Sequence, residues 1–448
     1  MSRSIARLIV GIGLVAGVAS AAWAQTPPVT LSLEDAVARG RAAAPRVAEA
    51  KARRDAADAT VTSREALKLP ILNVSAAYQR TNHVDPYAIT LPVVGKMTIF
   101  DDLPNIYRGR TDASMPLYTS GRTDALINAA TLDRKAADAD TRTAEADVSL
   151  DVARAYWTLV TARESARVVE QGLVRINAYV SDVKSRVDAG FLPPNDLLSA
   201  QSQRARQNVA LIQAKNAAAV AEADLCRLVG VDLETPIVTS SPLMASQPSV
   251  APLTSMPMKA LAEQARGSRS ERDALTIRAD SARETGAASA AALKPQIGVA
   301  AGFEESRPNA RIVPRVNEWR SSWEAGVSVS WQLFDGGKSK ADRAAATAQA
   351  VALERRRDDF DAMLGVELRQ RRLDVESGRA ALEASAEAVA ASTEARRVVE
   401  ERFKAGVATS TDVLDAQTSL LEAELERTRL AATLRLNEAR LLRAAGGQ

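Results

Sequence analysis

The stretch RFKAGVATSTDVLDAQTSLLEAE, residues 402–424, interrupts a sequence that is otherwise typical of continuous helix. Strong helix formers lead up to Ala405-Gly406, and the helical pattern restarts at Asp412 after a short run of Thr and Ser. The stretch RVDAGFLPPNDLLSAQSQRARQN, residues 186–208, makes the same interruption and aligns with the first without a gap. Each stretch therefore predicts the tip of an αα-hairpin. Asp196 and Asp412 fall in the first turn of the following helix, where a carboxylate is stabilised by the helix dipole.

The alignment between the two halves extends beyond the tips. SMPLYTSGR, residues 114–122, falls on SWQLFDGGK, residues 330–338, at the same offset as the tips. The sequence therefore predicts a duplicated unit of helix, strand, strand, long helix and helix. The first repeat covers residues 25–234, a Pro/Ser-rich linker covers residues 235–255, and the second repeat covers residues 256–448. The two repeats form one protomer fold, and the linker is either a belt packed on the helices or a partly disordered segment.

Element lengths separate the helices from the strands. Proline is absent between Pro116 and Pro193 and after Pro314, so each half carries one helix of roughly 100 Å. The predicted helices cover residues 121–189, 194–229, 337–405 and 411–444. The predicted strands cover residues 71–80, 106–118, 296–304 and 322–334.

The predicted strands alternate between apolar and polar residues. WEAGVSVSWQLF places Trp323, Val327 and Trp331 on one face and polar side chains on the other. Strands of about 9–11 residues cross an outer membrane when tilted, and we expect these three side chains to face lipid. A small soluble β-domain capping a helical stalk would alternate in the same way. Four strands cannot close a membrane barrel, so the membrane interpretation requires a dimer with eight strands or a trimer with twelve.

The composition and the N-terminal residues limit the classes of function that the chain can have. Arg3 and Arg7 precede an apolar run and a small-x-small site, which predicts a signal peptide at residues 1–24 with cleavage between Ala24 and Gln25. The net charge is only +3 and no basic patch stands out, so nucleic-acid binding is disfavoured. The one histidine, His83, has no companions at metal-ligand spacing, and no nucleophile elbow or phosphate loop occurs. The sequence therefore predicts no enzyme and no cofactor.

On the doubled layout, the PLYTSGR and QLFDGGK junctions and the tip stretch, the chain resembles the TolC-type outer-membrane efflux channels over nearly all of its predicted mature length. The resemblance implies a mainly α fold with a membrane β-barrel portion: a homotrimer with a 12-stranded β-barrel in the outer membrane and an α-helical barrel in the periplasm. It implies three kinds of partner, namely outer-membrane lipid, a periplasmic adaptor and an inner-membrane transporter of the RND, ABC or MFS type. The implied function is the exit duct of a tripartite efflux system for small molecules. The alternatives are the duct of a type I protein secretion system and a periplasm-spanning coiled-coil scaffold.

The resemblance also places roles on particular residues. The tip residues Gly190, Phe191, Gly406 and Val407 would contact the adaptor. The aspartates that follow the tips, Asp196, Asp412 and Asp415, would line the periplasmic aperture, and threefold symmetry would make each a ring of carboxylates. The simpler alternative is a helix-capping charge at Asp412 and a solvated acid at Asp415. Some relatives carry a basic residue where this chain has Ala408, so no basic latch is expected there.

Overall fold

The structure is a computed structural model that describes residues 28–244 and 250–447. The predicted signal peptide and its cleavage site at Ala24 and Gln25 lie outside the described residues. Part of the predicted linker, residues 245–249, also lies outside them. Across the described ranges, no helix is both long enough and apolar enough to cross a membrane.

Four helices carry most of the length. They are α3 (Arg122–Asp188), α4 (Pro194–Val229), α8 (Lys338–Lys404) and α9 (Ser410–Ala444). Helices α3 and α8 each have 67 residues, which corresponds to about 100 Å. Their ends lie one residue inside the ranges expected from the sequence, because glycine in the left-handed conformation flanks each of them. Gly121 and Gly337 precede them with φ of 82° and 88°.

The long helices pack side by side in one layer, and α8 lies at the same edge of that layer along its whole length. The shorter helices are α1 (Leu33–Ala43), α2 (Pro45–Glu65), α5 (Ala251–Ser255), α6 (Met258–Ser268) and α7 (Ser270–Ala291). In the half that carries the tips, α3 packs against α4 and α9, and α9 packs against α8. In the other half, α3 packs against α2 and α7, and α7 packs against α8. Helix α8 is therefore one edge of the layer along its whole length, and α4 and α2 share the opposite edge.

A four-stranded antiparallel sheet continues from the helical layer. Its strands are β2 (Ile71–Arg80), β5 (Asn105–Tyr118), β7 (Gln296–Arg307) and β8 (Arg320–Ser330), in the spatial order β2-β5-β7-β8. Strand β8 ends at Ser330, four residues before the end expected from the sequence. Ser330 pairs with Gln296, and the residue before Gln296 is Pro295, which has no N–H to continue the ladder. Trp331 therefore lies just beyond the strand, where its indole N–H donates to the Leu293 carbonyl at 3.1 Å.

The register gives the sheet one apolar and one polar face. Phe303 pairs with Trp323 and Val299 pairs with Val327, so these side chains share a face. The apolar side chains of that face are mostly exposed in the protomer, and Val327 is 70% exposed. Glu324 lies on the opposite face with the polar side chains of the other strands. The four strands therefore have the alternation that the sequence predicted.

The linker is largely an ordered belt. Strand β1 (Val29–Leu31) pairs in parallel with β6 (Ile237–Thr239), which lies inside the linker. The buried Tyr156 hydroxyl on α3 joins both segments, because it donates to the Leu31 carbonyl at 3.2 Å and accepts from the Ser241 amide at 3.0 Å. Its ring belongs to a core cluster that includes residues of α3, α4 and α9. The belt therefore fixes the middle of the helical layer from one side.

The connection between β2 and β5 contains a second hairpin. Within it, β3 (Tyr87–Leu91) and β4 (Gly95–Phe100) pair antiparallel. At the base of the hairpin, His83 Nδ1 lies 2.5 Å from Asp102 Oδ2. The lone histidine is thus paired with a carboxylate in a connection between strands.

Candidate functional site

Both αα-hairpin tips have the same backbone geometry. Gly190 follows α3 with φ of 79°, and Gly406 follows α8 with φ of 76°. At the first tip the Phe191 amide donates to the Arg186 carbonyl at 2.8 Å and the Gly190 amide donates to the Val187 carbonyl at 2.9 Å. At the second tip, the amides of Val407 and Gly406 make the same two bonds, at 2.9 and 3.0 Å. This is the Schellman arrangement, which requires a residue that tolerates positive φ.

The tips present apolar side chains to solvent. Phe191 is 81% exposed and Val407 is 67% exposed, and each directly follows the tip glycine. Exposed apolar side chains at the end of a long rod are typical of a protein-contact surface rather than of packing within the chain.

Replacing Gly406 tests the tip geometry. No heavy atom lies within 4 Å of a Cβ built there, so only the backbone strain of positive φ opposes a side chain. We expect Gly406→Val to destabilise the tip by about 1–3 kcal/mol, whereas Gly406→Asn is nearly neutral because asparagine tolerates this region. Hydrogen exchange of the amides at residues 400–412 measures the difference. Equal protection in the two variants would contradict the assignment.

The two tips are tied to each other. The Tyr179 hydroxyl on α3 donates to the Ser410 carbonyl at 3.1 Å, and the Ser410 hydroxyl donates to Asp196 Oδ2 at 3.0 Å. The Arg186 guanidinium lies over the Phe403 ring, 4.9 Å from its centroid. Burial raises the pKa of the Tyr179 phenol, so it stays a neutral donor at physiological pH. These contacts join the first repeat to the second where both begin their return helices.

The predicted aperture aspartates have different environments. Asp412 forms a capping box with Thr409: its Oδ2 accepts from the Thr409 amide and hydroxyl, both at 2.8 Å, and its amide donates to the Thr409 hydroxyl at 3.2 Å. These hydrogen bonds, the amide bond first, hold the pKa of Asp412 below its usual value. Asp196 is bound by Ser410, as described above. Asp415 is exposed and makes no ion pair or hydrogen bond through its side chain to another described residue.

A groove of about 510 Å³ lies beside the tips between α3, α8 and α9. Tyr179 and Phe403 line its apolar part, and Arg396, Glu400 and Gln417 line its polar part. Arg396 Nη1 donates to Glu400 Oε1 at 2.9 Å. The sequence reasoning missed Tyr179 and Ser410. The available signal was a tyrosine between the aliphatic residues Ile176 and Val180 of a long predicted helix, because a buried hydroxyl requires a partner.

Charged side chains cluster on the polar face of the sheet. Arg110 on β5 donates from Nε to Asp112 Oδ1 at 2.8 Å and from Nη2 to Glu324 Oε1 on β8 at 2.5 Å. It reaches across Gly302 of the intervening strand, where a Cβ would meet Arg110 Nη2 at 3.0 Å. Glycine at this position therefore leaves room for the Arg110 side chain, which joins β5 to β8.

In the part of the chain that the structure describes, no group of three or more His, Cys, Asp or Glu residues could hold a metal ion. The site consists instead of two hairpin tips at one end of the long helices and a two-faced sheet at the other. The sequence profile of the outer membrane efflux protein family matches residues 37–231 and 261–447. The chain belongs to this family.

Individual relatives agree with the family. The chain is 26% identical over 341 residues to protein CyaE of Bordetella pertussis, which covers 74% of this chain and 68% of the relative. It is 22% identical over 412 residues to the outer membrane protein TolC of Vibrio cholerae, covering 90% and 86%. The crystal structure of the outer membrane protein VceC from Vibrio cholerae has the same fold, with a TM-score of 0.75, 19% identity and coverage of 93% of this chain and 96% of that one.

The membership fixes the broad role of the chain. As an outer membrane efflux protein it is an exit duct in the outer membrane with a helical tunnel in the periplasm. Proteins of this family are trimeric channels that work with a periplasmic adaptor and an inner-membrane pump, and the family is one of ducts rather than of enzymes. The predicted family, fold class and location are confirmed.

Proposed function

We propose that this chain passively conducts small molecules, such as drugs and toxic compounds, from an inner-membrane pump of the RND, ABC or MFS type to the outside. The observation that carries the proposal is the difference between the two ends of the protomer. Two paired hairpin tips lie at one end of helices of about 100 Å, and a sheet with one apolar face lies at the other. The energy for transport comes from the pump, so the duct needs no chemistry of its own.

The apolar face of the sheet is proposed to meet lipid. Trp323 and Val327 are 75% and 70% exposed in the protomer, and a barrel of three protomers turns one face of every strand outward. Trp331 lies just past the end of β8 and is proposed to reach the membrane interface, where tryptophan is enriched. The charged face then lines a water-filled lumen.

The tips are proposed to serve both the adaptor and the gate. The exposed Phe191 and Val407, beside Gly190 and Gly406, supply apolar contacts for the adaptor. The hydrogen bond from Ser410 to Asp196 joins the two return helices, and the one from Tyr179 joins α3 to the start of α9. Breaking these bonds is proposed to let the helices separate. Asp196, Asp412 and Asp415 follow the tips and, in three copies, are proposed to surround the aperture.

Divalent-cation block tests the aperture. A ring of three ionised carboxylates concentrates divalent cations, so we expect Asp415→Ala to weaken Mg²⁺ block of the channel by roughly tenfold or more. Asp412→Asn keeps an N3 side chain for the Thr409 cap but removes the charge, and we expect it to weaken block without loosening the helix start. The measurement is single-channel current in a planar bilayer with Mg²⁺ on the tip side.

The matched control is Glu426→Ala, which removes an exposed carboxylate farther along the same helix. Block that is equally strong in the wild type and in both aspartate variants would overturn the aperture assignment and leave the duct itself in place.

A further inference from the structure

The connection between β7 and β8 lies on the polar face of the sheet rather than extending away from it. Asn309 is 2% exposed, and its amide nitrogen donates to the Arg320 carbonyl at 2.8 Å and to Ser322 Oγ at 3.1 Å. Its side-chain oxygen accepts from the Arg311 amide at 2.9 Å. A buried amide with partners on both ends fixes the loop in place.

Arg311 extends the contacts between the loop and β8 from Ser322 to Trp323 and Glu324. Its guanidinium pairs with Glu324 and its Nη1 donates to the Trp323 carbonyl at 2.9 Å. Glu324 and Ser322 both belong to the polar face, so the residues that hold the loop are on that face. About half of the Arg311 side chain remains exposed, so the guanidinium also faces the space above the sheet.

The loop contacts a row of charged side chains on that face, which we call the charged strip: Arg110, Asp112 and Glu324. Glu324 accepts from Arg311 on one side and from Arg110 on the other, and Arg110 also binds Asp112. The charged strip thus crosses β5, β7 and β8 at one level along the strands, where Asp112 pairs with Gly302 and Gly302 pairs with Glu324. Toward the helices, β7 and β8 carry small residues at the next two positions of the polar face, namely Ala300 and Gly298 on β7 and Gly326 and Ser328 on β8, with Ile71 of the edge strand β2 in the first of these rows. The bulk on this face is therefore concentrated at the level of the loop.

We propose that residues 308–314 form a constriction in the outer half of the barrel lumen and that Arg311 sets its width and its charge selectivity. The inference rests on the proposed function, because it requires the polar face to line the lumen. In a trimer three copies of the loop narrow the lumen at one height. Each contributes a guanidinium that opposes organic cations and compensates the Glu324 carboxylate behind it.

Graded thiol reagents applied from outside the cell measure the width. Ser328→Cys places a thiol on the polar face on the helix side of the loop, and the native Cys226 is buried and does not interfere. We expect maleimides carrying polyethylene glycol to label this thiol up to a size limit, and Arg311→Ala to raise that limit. Arg315→Ala is the matched control, since Arg315 lies over the Phe100 ring of the neighbouring hairpin, 5.7 Å from its centroid.

Reagents of matched size and opposite charge measure the selectivity. With Arg311→Ala, we expect the ratio of labelling rates for a cationic over an anionic thiosulfonate to rise by roughly tenfold. Arg311→Lys retains the charge and is expected to keep the wild-type ratio, which separates charge from loop disruption. An unchanged size limit and an unchanged ratio in Arg311→Ala would overturn the constriction. Absence of labelling by every reagent would overturn both the constriction and the orientation of the sheet on which it rests.

Discussion

Val327→Arg is expected to abolish assembly of the barrel in the outer membrane, while Ser328→Arg is tolerated. Val327 lies in the second half of β8 (Arg320–Ser330) on the apolar face, and an arginine facing the bilayer core costs up to about 2–4 kcal/mol in each of three copies. Ser328 is its immediate neighbour on the polar face, where an arginine meets water. The measurement is the share of the chain recovered from outer membranes as trimer.

The pair of variants isolates orientation from other effects. Both introduce the same side chain one residue apart in the same strand, so translation, export and strand propensity are matched. Equal loss in both variants, or loss only in Ser328→Arg, would contradict the proposal that the apolar face meets lipid.

Glu438→Ala is expected to lower the free energy of unfolding by about 3–5 kcal/mol, because it leaves a buried guanidinium without its partner. Arg435 and Glu438 on α9 form an ion pair whose side chains are 3% and 2% exposed. Arg435 Nε also donates to the Leu243 carbonyl at 3.0 Å, so the pair holds the linker belt against the helical layer. Burial raises the pKa of Glu438, although the nearby Arg435 favours the charged form.

Thermal and denaturant unfolding of the purified trimer in detergent test this pair. Glu426→Ala breaks the exposed pair with Arg429 on the same helix and is expected to leave the stability nearly unchanged, because solvent screens an exposed ion pair. Replacing Arg435 and Glu438 together by Met and Leu is expected to restore most of the lost stability, since the buried charge is then removed with its partner. A cost for Glu438→Ala as small as that for Glu426→Ala would contradict the buried-pair account.

The long helices and both tips could be predicted because their signals are local. Proline is absent from each helix, and a glycine in the left-handed conformation stands at each of its ends, so sequence spacing alone places the boundaries. The alternation in β8 likewise predicted which side chains share a face. The capping-box spacing of Thr409 and Asp412 was readable too, and it explains why a carboxylate at this position has a structural role whatever its role in the aperture.

Features that depend on distant parts of the chain could not be predicted. Tyr179 and Ser410 are 231 residues apart in sequence, and only the packing of α3 beside α9 brings them together. The reach of Arg110 over Gly302 depends on the register of three strands, which no local pattern determines. The end of β8 at Ser330 follows from Pro295, which directly precedes the partner strand β7, so alternation alone extended the strand too far.

The most direct test of the central claim, a duct closed by its tips, is the single-channel conductance of the purified trimer in a planar bilayer, compared with a Tyr179→Phe/Ser410→Ala variant. That variant loses the hydrogen bonds from Tyr179 to the Ser410 carbonyl and from the Ser410 hydroxyl to Asp196. Each such bond contributes about 0.5–1.5 kcal/mol, so losing two per protomer should shift the aperture strongly toward its open form. The account predicts a small conductance for the wild type and one several-fold larger for the variant. Folded, membrane-inserted trimers that conduct no ions in either form would contradict it.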